Sequence, residues 1–188
     1  MAEVLIVYAT DHKGTLKMAE KVAAGVDSVQ GCKAILKNAE EAKADDVLAA
    51  DALVLGSPVH MGSMDWRMKK FIDQQCSGLW MGDKVAGKAS AVFACGSGYG
   101  NAGAGCELTM LAMLNNLAEL GMVLVPLPKD SPGYAKGGLQ WGPYGRAHNE
   151  DLSVIKGGLP EERSEVCIQH GKNIARVAEA LRGKKIMG

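Results

Sequence analysis

Three segments of this 188-residue sequence combine glycines with side chains that bind ligands or carry protons. The first, residues 10–15, reads Thr-Asp-His-Lys-Gly-Thr and leads directly into a segment with helical spacing. A helix start presents free backbone N–H groups and the positive end of the helix dipole, which together attract phosphate. We call residues 10–15 the phosphate turn. The Walker A pattern is absent, so the turn does not indicate a nucleoside-triphosphate site, and an ordinary strand-to-helix turn remains the alternative.

The second segment, residues 57–64, reads Ser-Pro-Val-His-Met-Gly-Ser-Met and is called here the proline loop. Pro58 fixes one backbone angle, and Gly62 permits a conformation that other residues avoid. A loop restricted in this way is able to hold its shape against a flat ligand. The alternative is that His60 and Met61 are exposed loop residues without a function.

The third segment, residues 95–105, alternates glycine with other residues and is called the glycine loop. Glycines allow a backbone to approach a ligand closely. Gly98, Gly100 and Gly103 match the G-x-G-x-x-G fingerprint of dinucleotide-binding domains. That fingerprint belongs to the first strand-to-helix turn and requires an acidic residue at the end of the next strand. Here the preceding strand is the fourth and the next ends in Val125-Pro126, so a Rossmann-type NAD domain is the weaker alternative.

Short apolar runs alternate with amphipathic segments and predict the elements that position these loops. Strands are expected at residues 4–8, 32–36, 52–56, 88–95 and 123–126. Helices are expected at residues 14–26, 65–76, 105–120 and 165–181, the second with Ser63 as its cap. Continuous apolar strands alternating with helices are typical of a parallel sheet covered on both faces. We therefore expect an open, doubly wound α/β sheet of five parallel strands, with ligands at the carboxyl ends of the strands.

Composition excludes several classes of function. Lys plus Arg and Asp plus Glu both number 21, so the net charge of zero provides no attraction to nucleic acid. No apolar run approaches the ~18 residues of a membrane span, so stable membrane insertion is not expected. The five cysteines have no metal-ligand spacing, which predicts free thiols and no metal site. The amino terminus resembles neither a secretory signal nor a transit peptide, so we expect a cytoplasmic protein.

Two further features have aromatic residues among glycines. Residues 127–161 are rich in Gly and Pro, and a long irregular segment of this kind is more typical of a lid or an interface than of filler. Trp80 lies between Gly78 and Gly82, which predicts that a loop presents its indole. The alternative for Trp80 is simple packing against the preceding helix.

Together these segments resemble the WrbA-type NAD(P)H:quinone oxidoreductases of the flavodoxin-like superfamily. The resemblance rests on the run VLIVY before the phosphate turn, on GSPVHMGSM at residues 56–64, and on GKASAVF at residues 87–93. It continues through GMVLVP at residues 121–126 and the Gly-Gly and Pro-Tyr-Gly elements near residues 137 and 143. It implies a single flavodoxin-like domain over residues 1–188, with strand order 2-1-3-4-5 and helices on both faces.

The resemblance also implies which residues bind the cofactor. The phosphate turn would bind the phosphate of FMN, residues 59–61 would line the isoalloxazine ring, and residues 95–100 would close on its pyrimidine side. The implied set is Thr10, Asp11, His12, Lys13, Gly14, Thr15, Val59, His60, Met61, Cys95, Gly96, Ser97, Gly98, Tyr99 and Gly100. His12 and Trp80 fall where the family has aromatic residues near nicotinamide and quinone. Where the family has a histidine near the flavin, this sequence has Leu120.

The function expected on this basis is hydride transfer from NADH or NADPH to FMN, followed by transfer of two electrons to a quinone. No protein side chain is required as a nucleophile, because the flavin carries the chemistry. FMN is expected rather than FAD because the turn can hold one phosphate and no first-strand dinucleotide fingerprint is present. A homodimer or homotetramer is implied by the family. A one-electron carrier flavodoxin and a non-catalytic FMN-binding module remain the alternatives.

Overall fold

The apolar strands of the chain form a sheet whose two faces are both buried. The computed structural model describes residues 1–101 and 103–187. Its strands are β1 (Ala2–Tyr8), β2 (Cys32–Asn38), β3 (Ala52–His60), β4 (Ser63–Met64), β5 (Ala89–Cys95), β6 (Val123–Leu124), β7 (Gly138–Leu139) and β8 (Gly142–Gly145). Every residue of β5 is buried, as expected for a strand covered on both sides. Ala102, within the glycine loop, and Gly188 lie outside the described residues.

The sheet has the order β2-β1-β3-β5-β8-β7, with β6 also paired to β5 and β4 to β3. The pairs joining β2, β1, β3 and β5 are all parallel, and so are those of β5 with β6 and β8. The predicted doubly wound α/β class is therefore confirmed. The structure differs from the prediction beside β5, where two short strands, β6 and β8, take the place of the single predicted fifth strand.

Helices cover both faces of this sheet. They are α1 (Gly14–Asp27), α2 (Ala44–Ala49), α3 (Trp66–Phe71), α4 (Ser77–Trp80), α5 (Cys106–Glu119), α6 (Tyr134–Gly137) and α7 (Ser164–Leu181). One apolar core joins the sheet to α1 and α7, and a second joins it to α2 to α5. Helices α1 and α7 pack closely at two glycines. A Cβ on Gly25 would lie 2.1 Å from the Ile168 carbonyl oxygen, and a Cβ on Gly171 would lie 2.1 Å from the Val22 carbonyl oxygen, so neither position has room for a side chain.

The fifth predicted strand, residues 123–126, is divided in the structure. β6 pairs with β5 at Val123 and Leu124, and Val125 still donates to the Ser90 carbonyl. Pro126 has no N–H to continue the ladder, and the chain leaves the sheet there. It returns as β8, where Tyr144 and Gly145 pair with the last two residues of β5.

The proline loop is more regular than the sequence predicts. β3 continues to His60 and turns back antiparallel into β4, with Val59 opposite Met64 and His60 opposite Ser63. Met61 and Gly62 form the turn, both with positive φ. Gly62 tolerates this conformation easily, whereas Met61 does so at a cost in backbone strain.

Two local predictions in this region are wrong, namely the cap of α3 and the loop at Trp80, and the helix predicted at residues 65–76 is interrupted. Asp65, and not Ser63, caps α3, because its side chain accepts the Arg67 backbone N–H and Ser63 belongs to β4. The predicted helix also does not run evenly, since a π-helical turn (Ile72–Cys76) separates α3 from α4. Trp80 is therefore the last residue of a helical turn and not part of a loop. The predicted helices at residues 14–26, 105–120 and 165–181 are found within one residue at each end.

No helix in the described part of the chain is both long and apolar enough to cross a membrane.

The stability of this fold is predicted to depend on His170, which α7 buries completely beside Val92 of β5. Burial lowers the pKa of His170 to about 4, and the Val92 carbonyl offsets only part of this effect. In the unfolded chain a histidine has a pKa of about 6.5. Between these two values the unfolded chain binds more protons, so the free energy of unfolding decreases as the pH falls from about 6.5 to about 4.

Replacing His170 by Gln is expected to make this loss of stability on acidification smaller. Thermal melts at several pH values between 7 and 4.5 measure the effect, with His12→Gln as the control because His12 is an exposed histidine. Equal pH dependence in His170→Gln and the wild type would contradict the prediction.

Candidate functional site

The three predicted loops meet at the carboxyl edge of the sheet and enclose a cavity of about 300 Å³. This volume is within the range of small-molecule sites. Ten of the predicted cofactor-binding residues line it, namely Thr10, Asp11, His12, Gly14, Thr15, Val59, His60, Cys95, Gly96 and Ser97. Five others do not line it, namely Lys13, Met61, Gly98, Tyr99 and Gly100. Met61 and Tyr99 are instead among the most exposed apolar side chains of the described chain.

Sequence reasoning missed four residues that line the cavity: Pro58, Ala147, His148 and Leu152. Three of them lie on residues 146–158, which we call the strap. The strap follows β8 and belongs to the long irregular segment that the sequence marks as a lid or interface. Its membership of that segment and its location after Pro143-Tyr144-Gly145 were the available signals, but neither indicates which of its residues reach the cavity.

The strap joins the phosphate turn to the glycine loop. Arg146 Nη2 donates to the Gly98 carbonyl at 2.7 Å, and the Gly100 N–H donates to the Glu150 carbonyl at 3.0 Å. On the other side, Gly158 packs against the phosphate turn. A Cβ on Gly158 would lie 3.3 Å from the Gly14 nitrogen. The strap therefore fixes two walls of the cavity relative to each other.

The phosphate turn has the geometry expected for an anion site. Lys13 is the N-cap of α1 in the left-handed conformation, and its side chain does not cap the helix. The first N–H groups of α1 are thus left for another acceptor. Thr10 Oγ1 is buried and has no hydrogen-bond partner among the described residues. A phosphate bound here would supply partners to both, so the residues present fit such a group.

A carboxylate in a phosphate turn needs compensation, and Asp11 receives it from the proline loop and α3. Arg67 Nη2 lies 2.7 Å from Asp11 Oδ1, and His60 Nε2 lies 3.0 Å from Asp11 Oδ2. Both partners also contact Asp65: Arg67 Nη2 at 2.6 Å and His60 Nδ1 at 3.1 Å. These four residues, called here the charge network, tie the phosphate turn to the start of α3.

Asp65 is the buried centre of the charge network. It is fully buried, its N–H donates to Ser57 Oγ at 2.9 Å, and its carboxylate accepts from the Arg67 backbone and side chain. Burial alone would raise the pKa of Asp65, but the hydrogen bonds and charge of Arg67, together with His60, hold it below its usual value. The same contact with Asp65 raises the pKa of Arg67. Ligand atoms of Asp11, His60 and Asp65 lie within 4.8 Å of one another, but Arg67 already pairs with both carboxylates.

The opposite wall of the cavity carries a pair of histidines. The rings of His12 and His148 meet edge to face with centroids 5.5 Å apart. His148 Nδ1 lies 3.0 Å from Ser97 Oγ, which also accepts the Ala147 N–H. Burial, followed by the charges of His12 and Arg146, lowers the pKa of His148, so His148 is neutral near pH 7.

The cysteines of the structure are free and buried, as the sequence predicts. Cys95 lines the cavity, but burial raises the pKa of its thiol to about 12. The thiolate is the reactive form, so Cys95 packs as a small apolar residue and not as a nucleophile. Gly14 is a close neighbour of Cys95, because a Cβ on Gly14 would lie 2.9 Å from the Cys95 sulfur.

Trp80 and Leu120 are not brought to this cavity. Both line a separate cavity of about 230 Å³ between the π-helical turn and α5. Trp80 has 46% of its surface exposed there, and Leu120 is buried. Within one chain, the predicted pairing of His12 with Trp80 around a shared ligand is therefore not formed.

Comparison with known proteins agrees with this geometry. Residues 5–104 match the family model described as a flavodoxin domain. The chain belongs to the flavodoxin family. Curated relatives include a flavodoxin from Aquifex aeolicus, 34% identical over 98% of this chain and 92% of that protein. They also include a protein named NAD(P)H dehydrogenase (quinone) from Geobacter metallireducens, 32% identical over 96% of this chain and 100% of that protein.

Solved structures show the same fold. A flavodoxin, WrbA-like protein from Agrobacterium tumefaciens superposes with a TM-score of 0.70 at 24% identity, over 97% of this chain and 100% of that one. Flavodoxin 2 from Bacillus cereus gives a TM-score of 0.66 at 24% identity, over 93% and 99% of the two chains. Flavodoxin-like architecture therefore extends over nearly all of this chain.

The charge network makes a prediction about phosphate binding. Arg67→Gln removes the guanidinium that pairs with Asp11, so the Asp11 carboxylate is expected to repel a bound phosphate. A repulsion of about 1 kcal/mol corresponds to roughly fivefold weaker FMN binding. Riboflavin, which has no phosphate, is expected to bind Arg67→Gln and wild type almost equally.

Fluorescence titration with both flavins measures these affinities. The double variant Arg67→Gln/Asp11→Asn is the control, because removing the carboxylate should restore FMN affinity. If FMN and riboflavin lose affinity equally in Arg67→Gln, or if the double variant is not rescued, Arg67 acts on the structure of the loop and not through charge.

Proposed function

We propose that this flavodoxin-family chain binds FMN in the cavity at the carboxyl edge of its sheet. The observation that carries the proposal is the buried, unpartnered Thr10 Oγ1 beside the uncapped start of α1, again considering the described residues. Together they offer donors for one phosphate at one end of the cavity. Val59 and His60 on one wall and Gly96 and Ser97 on the other leave a slot that suits a flat ring.

We further propose that the protein is an NAD(P)H:quinone oxidoreductase. When bound, FMN supplies the ability to accept a hydride and to pass two electrons on. The residues of the cavity would bind and orient the ring. Gly96 and Gly100 already donate their N–H groups to Gly145 and Glu150, so the N–H of Ser97, which lines the cavity, would be the glycine-loop donor to negative charge on the ring. Support comes from the Geobacter metallireducens relative and from one of Geobacter sulfurreducens, both named NAD(P)H dehydrogenase (quinone). They are 32% and 31% identical over 96% of this chain.

A second candidate is a flavodoxin-type electron carrier. The Aquifex aeolicus relative named flavodoxin favours it, since that protein matches almost the whole chain. The net charge of zero supports the oxidoreductase instead, because a carrier that docks protein partners electrostatically benefits from a charged surface. A non-catalytic FMN-binding module is the third candidate.

Turnover measurements are expected to separate these candidates. Protein purified with FMN should oxidise NADH or NADPH, and benzoquinone should increase the rate by at least an order of magnitude. Little semiquinone should accumulate at half reduction during dithionite titration, because the proposed reaction transfers electrons in pairs.

A large stable radical at half reduction, with no NAD(P)H oxidation, would favour the carrier. FMN binding without either behaviour would favour the binding module. Failure of the protein to quench FMN fluorescence would contradict the FMN site itself.

We also propose that the chain assembles as a homodimer or homotetramer. Several large apolar side chains are exposed on α3, α4 and α5: Trp66 by 61%, Trp80 by 46% and Leu108 by 64%. Burial of such surface against a second copy would stabilise an assembly. Since Trp80 lies outside the cavity of its own chain, stacking of Trp80 on a ligand would require the cavity of another copy.

Light scattering after size-exclusion chromatography is expected to give a mass of two or four times 19.8 kDa. A mass of one chain at micromolar concentration would contradict the proposed assembly.

A further inference from the structure

Reduction of a quinone requires one more proton than a hydride donor delivers. NAD(P)H gives up a hydride, which is two electrons with one hydrogen nucleus, whereas a quinone takes two electrons and two protons to become a quinol. Resting on the proposed function, we propose that His60 donates this second proton to the quinone and that Asp65 is its positioning residue. None of the comparisons assigns this role to a residue.

The geometry of His60 is that of an oriented proton donor. Its Nδ1 lies 3.1 Å from Oδ2 of the fully buried Asp65. A buried carboxylate at one ring nitrogen fixes the orientation of the ring and keeps a proton on that nitrogen. The Asp65 carboxylate is itself held in place by Arg67 and by the cap of α3. The other nitrogen of His60, Nε2, is then the one that exchanges a proton.

His60 lies at the cavity and is partly exposed, with its Nε2 against the Asp11 carboxylate. His60 lines the cavity, and 44% of its side chain is exposed. Nε2 is 3.0 Å from the Asp11 carboxylate, which is also exposed. To accept the proton, a quinone oxygen would take the place of the Asp11 carboxylate at Nε2. Because both side chains are partly exposed, the proton is then expected to be replaced from water.

The charges of the network support the same direction of transfer. Two carboxylates, Asp11 and Asp65, face two cations when His60 is protonated, with Arg67 as the second. After His60 gives up a proton, the network has one negative charge in excess. This excess charge draws a proton back to His60 and completes the cycle.

No other histidine or cysteine among the described residues lining the cavity is oriented by a buried carboxylate. His148 is neutral near pH 7, with its Nδ1 bonded to Ser97. His12 has no carboxylate partner among the described residues, and its ring contacts His148. The Cys95 thiol has a pKa raised to about 12 by burial. Of the histidines at the cavity, His60 is the one held by a buried carboxylate.

The step balances as follows. The quinone accepts the two electrons and one hydrogen that NAD(P)H supplied, while the Nε2–H bond of His60 breaks and a new O–H bond forms on the quinone oxygen. The imidazole is left neutral and recovers a proton from water. The sum is NAD(P)H, one proton and a quinone giving NAD(P)⁺ and a quinol.

Half-reactions followed by stopped-flow test the role of His60. The FMN-loaded protein is reduced with dithionite and mixed either with benzoquinone, which needs protons, or with ferricyanide, which accepts electrons alone. In His60→Gln, re-oxidation by benzoquinone is expected to be slower by about 10²-fold, the usual effect of losing a general acid. Re-oxidation by ferricyanide should stay within about twofold of wild type. Asp65→Asn, which keeps a good helix cap, should slow the benzoquinone reaction selectively as well.

Asp73→Asn is the matched control, since Asp73 is an exposed carboxylate paired with Lys69 and remote from the cavity lining. Both of its re-oxidation rates should equal those of wild type. Equal slowing of both acceptors in His60→Gln, or no slowing of either, would overturn the proposal. If wild type itself is not re-oxidised by benzoquinone, the proposed quinone reductase function fails instead.

A measurement without turnover tests Asp65 as the positioning residue. In apoprotein with ¹⁵N-labelled histidine, NMR is expected to show a proton on His60 Nδ1 at every pH from 6 to 9. Asp65→Asn should lose this preference for Nδ1, while His170, distant from the network, keeps its wild-type signals. A neutral His60 in wild type with the proton on Nε2 would overturn the assigned role of Asp65.

Discussion

Coverage of the sheet by helices on both faces restricts where polar groups can lie. Residues within β1, β3 and β5 are almost all apolar and buried, because a polar side chain there would lose its water without gaining a partner. Polar side chains are therefore concentrated just beyond the strand ends. Since parallel strands end at the same edge, the phosphate turn, the proline loop and the glycine loop come together there. The cavity follows from the way in which the core is buried.

The charge network compensates the carboxylate in the loop that is proposed to bind phosphate. Asp11 brings a negative charge into a turn that otherwise favours phosphate. Arg67 on α3, 56 residues away, pairs with this carboxylate, and His60 at the end of β3 contacts it. Asp65 contacts both Arg67 and His60, and its own burial is tolerated because it is hydrogen bonded on several sides. Cofactor binding and proton delivery, as proposed here, therefore share one set of side chains.

Division of the fifth strand has consequences for the site. The chain leaves the sheet at Pro126 and returns as β8, so that the residues after Gly145 emerge at the carboxyl edge. The strap that follows adds His148 to the cavity and bonds to the glycine loop. A continuous fifth strand of residues 123–126 would have ended without placing any of these residues near the phosphate turn.

The sequence by itself determined the fold class, the boundaries of the three long helices α1, α5 and α7, and the three loops of the site. These depend on local patterns: apolar runs, helical spacing, and glycines next to strand ends. The tertiary structure alone decided the charge network, the strap and the location of Trp80. Asp11 and Arg67, or Ser97 and His148, are distant in sequence, and nothing in the spacing of the chain indicates that their side chains meet. Trp80 is a case in which a local pattern misleads. Its glycine neighbours predict a loop, but Trp80 ends the helical turn α4 that follows the π-helical turn, and it lines another cavity.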